Sequence, residues 1–191
     1  LEYVGIKGGM VILVADDPGP ISSQTEQDTR HFSRFSKLPC FDPSSAQEAY
    51  EMIQEAFEYS EKYGTPVFLR PTTRVCHGYA SIMVKDETEY THHQPEGFIK
   101  DSKRWVIFPR LSFMNHKKIE ARNQELSDIF SSYEKNTIHP SCDAFKNSKK
   151  GIATGGISYT YTMETLKKTG MVKTLKIATP HPFPEKLAVD F

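Results

Sequence analysis

The stretch "MVILVADDPGPISSQTEQDTRHF", residues 10–32, indicates the class of fold. It opens with a continuously apolar run, Met10 to Ala15, which is typical of a parallel β-strand covered on both faces. Asp16, Asp17 and Pro18 end that run abruptly, and a segment dense in hydrogen-bonding side chains follows. Because open α/β sheets build their binding sites at the carboxyl ends of parallel strands, this segment is a candidate functional loop.

A helix and a second strand follow the loop and complete a βαβ unit. Ser45-Ala46-Gln47-Glu48 matches a helix capping box, apolar residues then recur at helical spacing, and Gly64 ends the helix. The next strand lies within "TPVFLRPTTRV", and its residues are predicted to alternate between faces, with Val67 and Leu69 inward and Phe68 and Arg70 outward. A strand, helix and strand in this order predict a parallel sheet with flanking helices.

The remainder of the chain is predicted to be a connector followed by a second α/β unit. The polar segment after residue 80 contains Pro95 and Gly97 and is interpreted as extended, with one helix after it from Asn115 to Glu134. The second unit comprises the strand "GIAT", a Gly155-Gly156 turn, a helix from Ser158 to Lys168, the strand "VKTLKIAT" and a final helix after "PHPFP". The predicted fold class is α/β, built of parallel-sheet, three-layer segments over residues 1–80, 81–148 and 149–191.

Composition and charge exclude several classes of protein. Twenty-four basic and 24 acidic residues leave no net charge that would draw the chain to nucleic acid or to an anionic membrane. No apolar run approaches the roughly 18 residues that span a bilayer, and the start "LEYVGIKGG" does not match a signal peptide. The three cysteines are widely spaced and odd in number, so a reducing cytoplasm is expected. Both ends of the sequence suggest a piece of a longer protein.

The loop after the first strand contains the candidate site residues Gln24, Gln27, Asp28 and Arg30. The Arg30 guanidinium has the geometry to bind a carboxylate or phosphate in a fork. The alternative is an ordinary surface loop, in which Ser22 or Ser23 caps a short helix with Glu26 at its third position. In that case Arg30 pairs with Asp28 or Glu26 in a local ion pair worth under about 1 kcal/mol. Polarity by itself does not choose between the two.

Outside this loop, the cysteines, histidines, paired glycines and tyrosines are expected to serve the fold and not a catalytic or metal site. Adjacent residues on a strand point to opposite faces, which argues against a Cys76-His77 catalytic pair. The histidines and cysteines lack the spacing of a metal site, and one glycine pair is a weak phosphate-binding signal. Thr72, Thr73 and Arg74 follow the second strand and could face a cleft, although strand alternation explains much of that segment. The other residues interpreted as fold or solvent contacts are His92, His93, His139, Cys142, Gly155, Gly156, Tyr159 and Tyr161.

The stretch that begins "GIKGGMVILVADDPGPISSQTEQDTRHF" and runs to "TPVFLRPTTRVCH" resembles the α subunits of the indolepyruvate:ferredoxin oxidoreductases. These belong to the thiamine-diphosphate-dependent 2-oxoacid:ferredoxin oxidoreductases. The similarity continues through "PEGFIKDSKRWVIFPR" and "GIATGGISYTYTMETL" to "TPHPFPEKL", so it covers essentially the whole chain. The pairing of "ADDPG" with "SSQTEQDTR" is long and chemically unusual, which makes this motif specific.

The resemblance implies a function and a set of partners. Residues 1–80 would be the C-terminal half of the pyrimidine-binding domain, 81–148 a connector and helix, and 149–191 the start of a transketolase C-terminal-like domain. Family members oxidatively decarboxylate an aryl 2-oxoacid on thiamine diphosphate with Mg²⁺, pass electrons through 4Fe-4S clusters to ferredoxin, and transfer the acyl group to coenzyme A. The implied partners are the other domains of the subunit and a β subunit.

Several groups that this chemistry requires do not occur in the sequence. It contains no Gly-Asp-Gly motif for Mg²⁺ and no CxxC motif for a cluster, and no residue matches the family's pyrimidine-binding Glu. The resemblance therefore implies a chain that shapes the cofactor cleft but holds no catalytic residue and is inactive alone. The alternatives are a sister enzyme with another 2-oxoacid, a non-catalytic interaction module of the same fold, and a cysteine hydrolase using Cys76 or Cys142.

Overall fold

The computed structural model describes residues 1–20, 24–90 and 94–191. Its strands are β1 (Val11–Leu13), β2 (Cys40–Phe41), β3 (Val67–Leu69), β4 (Thr137–His139), β5 (Ile152–Gly155) and β6 (Thr174–Ile177). Its α-helices are α1 (Thr29–Ser36), α2 (Ala46–Tyr63), α3 (Thr73–Cys76), α4 (Ser102–Trp105), α5 (Pro109–Ser131), α6 (Gly156–Thr169) and α7 (Glu185–Asp190). No helix among the described residues combines the length and apolarity needed to span a membrane.

Two three-stranded sheets confirm the predicted α/β class. The first has the order β1-β3-β2 and is parallel throughout, with Val11 paired to Val67 and Cys40 paired to Phe68. The second has the order β4-β6-β5, in which β5 runs parallel to β6 and β4 runs antiparallel to it. Neither β2 nor β4 was predicted. β2 has only two residues, and β4 lies in the polar stretch "NTIHPSC", which lacks the apolar run that marks β1 and β3. The long helix begins at Pro109 instead of Asn115, since proline is favoured in the first turn.

The central strand β3 is covered on both faces, so the predicted alternation of buried and exposed residues along it is wrong. Val67, Phe68, Leu69 and Arg70 are all at most 3% exposed. On one face Val67 and Leu69 join a core formed largely with α2 and α5, and on the other Phe68 packs with the smaller cluster of Leu38 and Cys40. A strand covered on both faces has no solvent side to which alternate residues could point.

The two sheets are joined edge to edge through short backbone contacts. The Asp42 amide donates to the Ala178 carbonyl at 2.8 Å, and the Cys40 amide donates to the His181 carbonyl at 2.7 Å. Ala178 is fully buried in the same core as Leu126 of α5. The carboxyl end of β2 therefore lies beside the residues that follow β6. Asp42 also lies against Gly156 at the start of α6, which positions the cavity described below.

At the start of α2, one of the two hydrogen bonds of the predicted capping box forms. The Ser45 hydroxyl accepts from the Glu48 amide at 3.2 Å, as predicted. The Glu48 carboxylate accepts from the amide and hydroxyl of Ser44, at 2.9 and 2.7 Å, and pairs with Lys176. The Glu48 side chain thus binds Ser44 instead of the Ser45 amide, and its ion pair with Lys176 connects α2 to β6.

Replacing Ser45 with Ala is expected to lower the free energy of unfolding by about 1 kcal/mol, because a helix amide loses its acceptor. Ser45→Gly is the matched control and should cost only a few tenths of a kcal/mol, since glycine is tolerated at this position. Urea denaturation measures both. Equal losses for the two variants would contradict the capping role.

Candidate functional site

A buried arginine stands at the carboxyl end of β3, among three carboxylates. The Arg70 side chain is 2% exposed, and its Nε donates to Asp16 Oδ2 at 2.5 Å. Its Nη1 donates to both oxygens of Asp42 at 3.1 Å, and its Nη2 lies 3.5 Å from Asp28 Oδ1. A charge this deep is retained only when it is paired, so the arginine and the acids form one structural unit.

The three carboxylates come from three separate elements. Asp16 follows β1, Asp42 follows β2, and Asp28 is the N-cap of α1. Asp16 is held further by Thr29, whose amide and hydroxyl donate to its oxygens at 2.6 and 2.5 Å. Because carboxyl ends of parallel strands meet at one edge of a sheet, Arg70 gathers the ends of all three strands.

The candidate loop lies against this cluster. Asp28 accepts from the Arg30 amide at 3.1 Å and from its Nε and Nη2 at 2.8 and 2.6 Å. These hydrogen bonds lower the pKa of Asp28 to about 2, despite its partial burial. The backbone amide of Gln27 donates to the backbone carbonyl of Asp17 at 3.0 Å, whereas Gln24 is exposed. The structure therefore brings Asp28 and Arg30 into the cluster and Gln27 beside it.

The predicted serine cap of the following helix is wrong. The helix begins at Thr29 and Asp28 caps it, so Glu26 precedes the cap and is not at the third helical position. Ser22 and Ser23 lie outside the described residues. The local ion pair between Arg30 and Asp28 does form, and the contact of Asp28 with Arg70 makes it part of a larger network.

The charged form of the Asp42 carboxyl is disfavoured by its surroundings. Burial raises its pKa to about 6, and the favourable charges of Arg70 and Arg30 only partly oppose this. One guanidinium shared by three carboxylates cannot fully compensate each of them. Gly156 lies against Asp42, since a Cβ on it would approach Asp42 Oδ1 to 2.6 Å, and its φ is +52°. The Gly155-Gly156 pair therefore permits close packing between the two α/β units.

A cavity of about 640 Å³ opens between this cluster and the start of α6. Its charged lining residues are Asp17, Arg30, Arg70 and Arg74, and His77 lines it as well. Its remaining lining residues are Pro18, Thr72, Thr73, Gly155, Gly156, Ile157, Ser158 and Tyr161. The cavity thus brings together the loop after β1, the segment after β3 and the start of α6, as open α/β sheets commonly do at binding sites.

Comparison with known proteins identifies the relatives of the chain. No family model matches it. It is 38% identical over 196 residues to the indolepyruvate oxidoreductase subunit IorA of Pyrococcus abyssi, and 37% identical over 191 residues to that of Methanothermobacter thermautotrophicus. The corresponding subunit of Thermococcus kodakarensis is 38% identical over 193 residues. The chain is homologous to one segment of this oxidoreductase subunit.

This similarity confirms the resemblance predicted from the loop motif, and it extends over 98–100% of the chain. The chain spans only about 30% of the length of these IorA subunits. It therefore aligns with one part of each of these subunits.

The other residues considered from the sequence mostly lie in structural contacts. Cys76 and His77 follow one another on and after the short helix α3, not on a strand, and partial burial raises the pKa of the Cys76 thiol. The Tyr159 hydroxyl and His139 Nε2 are hydrogen-bonded at 2.9 Å. His92 and His93 lie outside the described residues. Thr72, Thr73, Arg74 and Tyr161, by contrast, line the cavity.

Mg²⁺ and the 4Fe-4S clusters, which the resemblance implies, have no set of ligands in the described part of the chain. No group of three His, Cys, Asp or Glu side chains there is placed to hold a metal ion. The three cysteines are free, and Cys40 is fully buried with a raised thiol pKa. Among the described residues, none of these side chains forms a set that fits Mg²⁺ or a 4Fe-4S cluster.

Proposed function

We propose that the chain is part of the α subunit of an enzyme that oxidatively decarboxylates aryl 2-oxoacids such as indolepyruvate. The products would be acyl-CoA and reduced ferredoxin. The proposal is carried by the whole-chain similarity to subunits named indolepyruvate oxidoreductase. The specific loop motif, which ends at the arginine-carboxylate cluster, supports the same conclusion.

The contribution of this chain would be one wall of the cofactor cleft. Thiamine diphosphate supplies carbanion stabilisation when bound, and it would be held with Mg²⁺ and the 4Fe-4S clusters by the other domains of the subunit and by a β subunit. Gln24 and Gln27 would lie toward the substrate or the facing subunit. Three free thiols agree with a cytoplasmic enzyme.

Arg30 is the residue best placed to receive the carboxylate of the 2-oxoacid. It lines the cavity, its side chain is 46% exposed, and Asp28 orients its guanidinium through two hydrogen bonds. Because the guanidinium is already held in place, it loses less conformational entropy when it binds a second carboxylate.

The direct test is ferredoxin reduction by the full-length subunit assembled with its β subunit. Reduction should require indolepyruvate, coenzyme A and thiamine diphosphate together. Turnover of aliphatic 2-oxoacids in place of indolepyruvate would point to a sister enzyme. If there is no turnover, and the full-length protein has no pyrimidine-binding Glu and no Gly-Asp-Gly motif, the proposal is wrong. The chain would then be part of a non-catalytic interaction module.

Replacing Arg30 with Gln is expected to raise KM for indolepyruvate about ten-fold or more in that assembled enzyme, with a smaller change in kcat. The reason is that a charge-assisted hydrogen bond to a carboxylate contributes about 1.5–3 kcal/mol. Arg34→Gln is the matched control, because Arg34 lies one turn further along α1 and faces a different cavity. Equal KM changes in the two variants would contradict the assignment of Arg30.

A further inference from the structure

Two buried polar groups at the cavity have no hydrogen-bond partner among the described residues. They are Nη2 of Arg70 and the hydroxyl of Thr72, and both residues line the cavity. Arg70 is 2% exposed and Thr72 is 4% exposed. Arg70 Nη2 keeps its 3.5 Å ion pair with Asp28 Oδ1 but makes no hydrogen bond, whereas the Thr72 hydroxyl has neither among the described residues. Leaving a buried hydroxyl unpaired costs about 1–3 kcal/mol, so its position at the cavity beside Arg70 indicates a ligand that satisfies it.

The start of α6 presents further donors to the same cavity. This helix has 14 residues, and its N-cap, Gly155, provides no side-chain acceptor. The first amides of a helix have no acceptor within the helix, and they carry a partial positive charge. Gly156, Ile157 and Ser158 all line the cavity. Helix amides, a hydroxyl and a guanidinium therefore converge on one space from two α/β units.

We propose that this cavity is a carboxylate-binding site in which Arg70, Thr72 and the first amides of α6 hold the anion. The guanidinium and the helix amides can only donate, and the Thr72 hydroxyl can donate as well, so together they select an acceptor such as an oxyanion. Asp16, Asp28 and Asp42 already surround Arg70, so a doubly charged phosphate would meet more repulsion than a singly charged carboxylate.

The body of the ligand is expected to be aromatic or otherwise apolar. Pro18, Ile157 and Tyr161 supply an apolar wall to the cavity, beside the polar groups that would hold the carboxylate. Its volume of about 640 Å³ is in the range of sites for small organic ligands. This inference deepens the proposed function, on which it rests for naming an aryl 2-oxoacid as the natural ligand, and it adds two binding residues to Arg30.

The test uses Thr72→Val in the full-length protein, with indole-3-acetate as a stable aryl carboxylate and calorimetry as the readout. Valine has nearly the shape of threonine, so removing an unpaired hydroxyl should leave the unfolding free energy unchanged or raised. The affinity for indole-3-acetate should nevertheless fall about ten-fold, because the carboxylate loses a hydrogen bond.

Thr179→Val is the matched control. Thr179 is also fully buried, but its hydroxyl accepts from Asn136 Nδ2 at 2.6 Å, and Thr179 does not line the cavity. This variant should lose stability and keep its affinity. The two variants thus separate a hydroxyl retained for a ligand from one retained for the fold.

Three results would overturn the inference: no binding of indole-3-acetate by the wild-type protein, unchanged affinity in Thr72→Val, or tighter binding of inorganic phosphate than of indole-3-acetate. If acetate binds as tightly as indole-3-acetate, the apolar wall does not contribute to binding. Failure of the proposed function is distinguishable, because ferredoxin reduction would then be absent while the binding of indole-3-acetate and its loss in Thr72→Val remain.

Discussion

Replacing Arg70 with Met is expected to lower the free energy of unfolding by about 3–5 kcal/mol at neutral pH, as is typical when one partner of a buried ion pair is removed. Methionine fills most of the same space, so the loss arises from charge and not from a void. Asp16 and Asp42 are at most 2% exposed and would lose the cation that compensates them. Urea denaturation at several pH values measures the loss, which should shrink as the carboxylates become protonated.

Arg30→Met is the matched control for this prediction. Arg30 also pairs with Asp28, but its side chain is 46% exposed and water can replace it. Its loss should therefore cost no more than about 1 kcal/mol, as for other exposed ion pairs. Similar losses in the two variants would show that the Arg70 cluster is better hydrated than its burial indicates.

The sequence predicts the parts of the fold that depend on local pattern. The helix α2 has a serine cap, a regular apolar face and a glycine in the left-handed region at its end, and all three signals are found in the structure. The two-residue strand β2 has no such pattern, because its residues become a strand only through hydrogen bonds to β3 and to His181. Its existence depends on contacts distant in sequence, which no local window contains.

The same distinction applies to the candidate site. Asp28 and Arg30 are two residues apart, so their pairing can be anticipated from the sequence. Arg70 was predicted to point outward because residues of a strand alternate between faces, which places Arg70 opposite Val67 and Leu69. Its burial is made possible by Asp16 and Asp42, which are 54 and 28 residues away in sequence. The available signal was Asp16 and Arg70 at the ends of the two predicted parallel strands. Asp42 gave no such signal, because β2 was not predicted.

The unfolding free energy is expected to change little between about pH 4 and pH 6, because the pKa values of Asp42 and His181 are shifted in opposite directions there. Burial raises the pKa of Asp42 to about 6 from its ordinary 3.8. The folded protein then binds this proton more tightly than the unfolded chain, so Asp42 makes the protein less stable as pH rises through the window. Burial lowers the pKa of His181 to about 4 from 6.5, with Lys37, Arg122 and Arg34 contributing. Here the unfolded chain binds the proton more tightly, so His181 makes the protein more stable as pH rises.

Single substitutions should expose each of these opposing effects. Asp42→Asn keeps an acceptor for Arg70 but removes the titration, so stability should rise with pH between about 4 and 6.5, by up to about 3 kcal/mol. His181→Asn should give the reverse slope, and the exposed acid Asp143, changed to Asn, should leave the wild-type profile intact. If Asp42→Asn has the wild-type profile, Asp42 titrates at its ordinary pKa. The double variant, Asp42→Asn with His181→Asn, should be nearly flat again, because both sources of the slope have been removed.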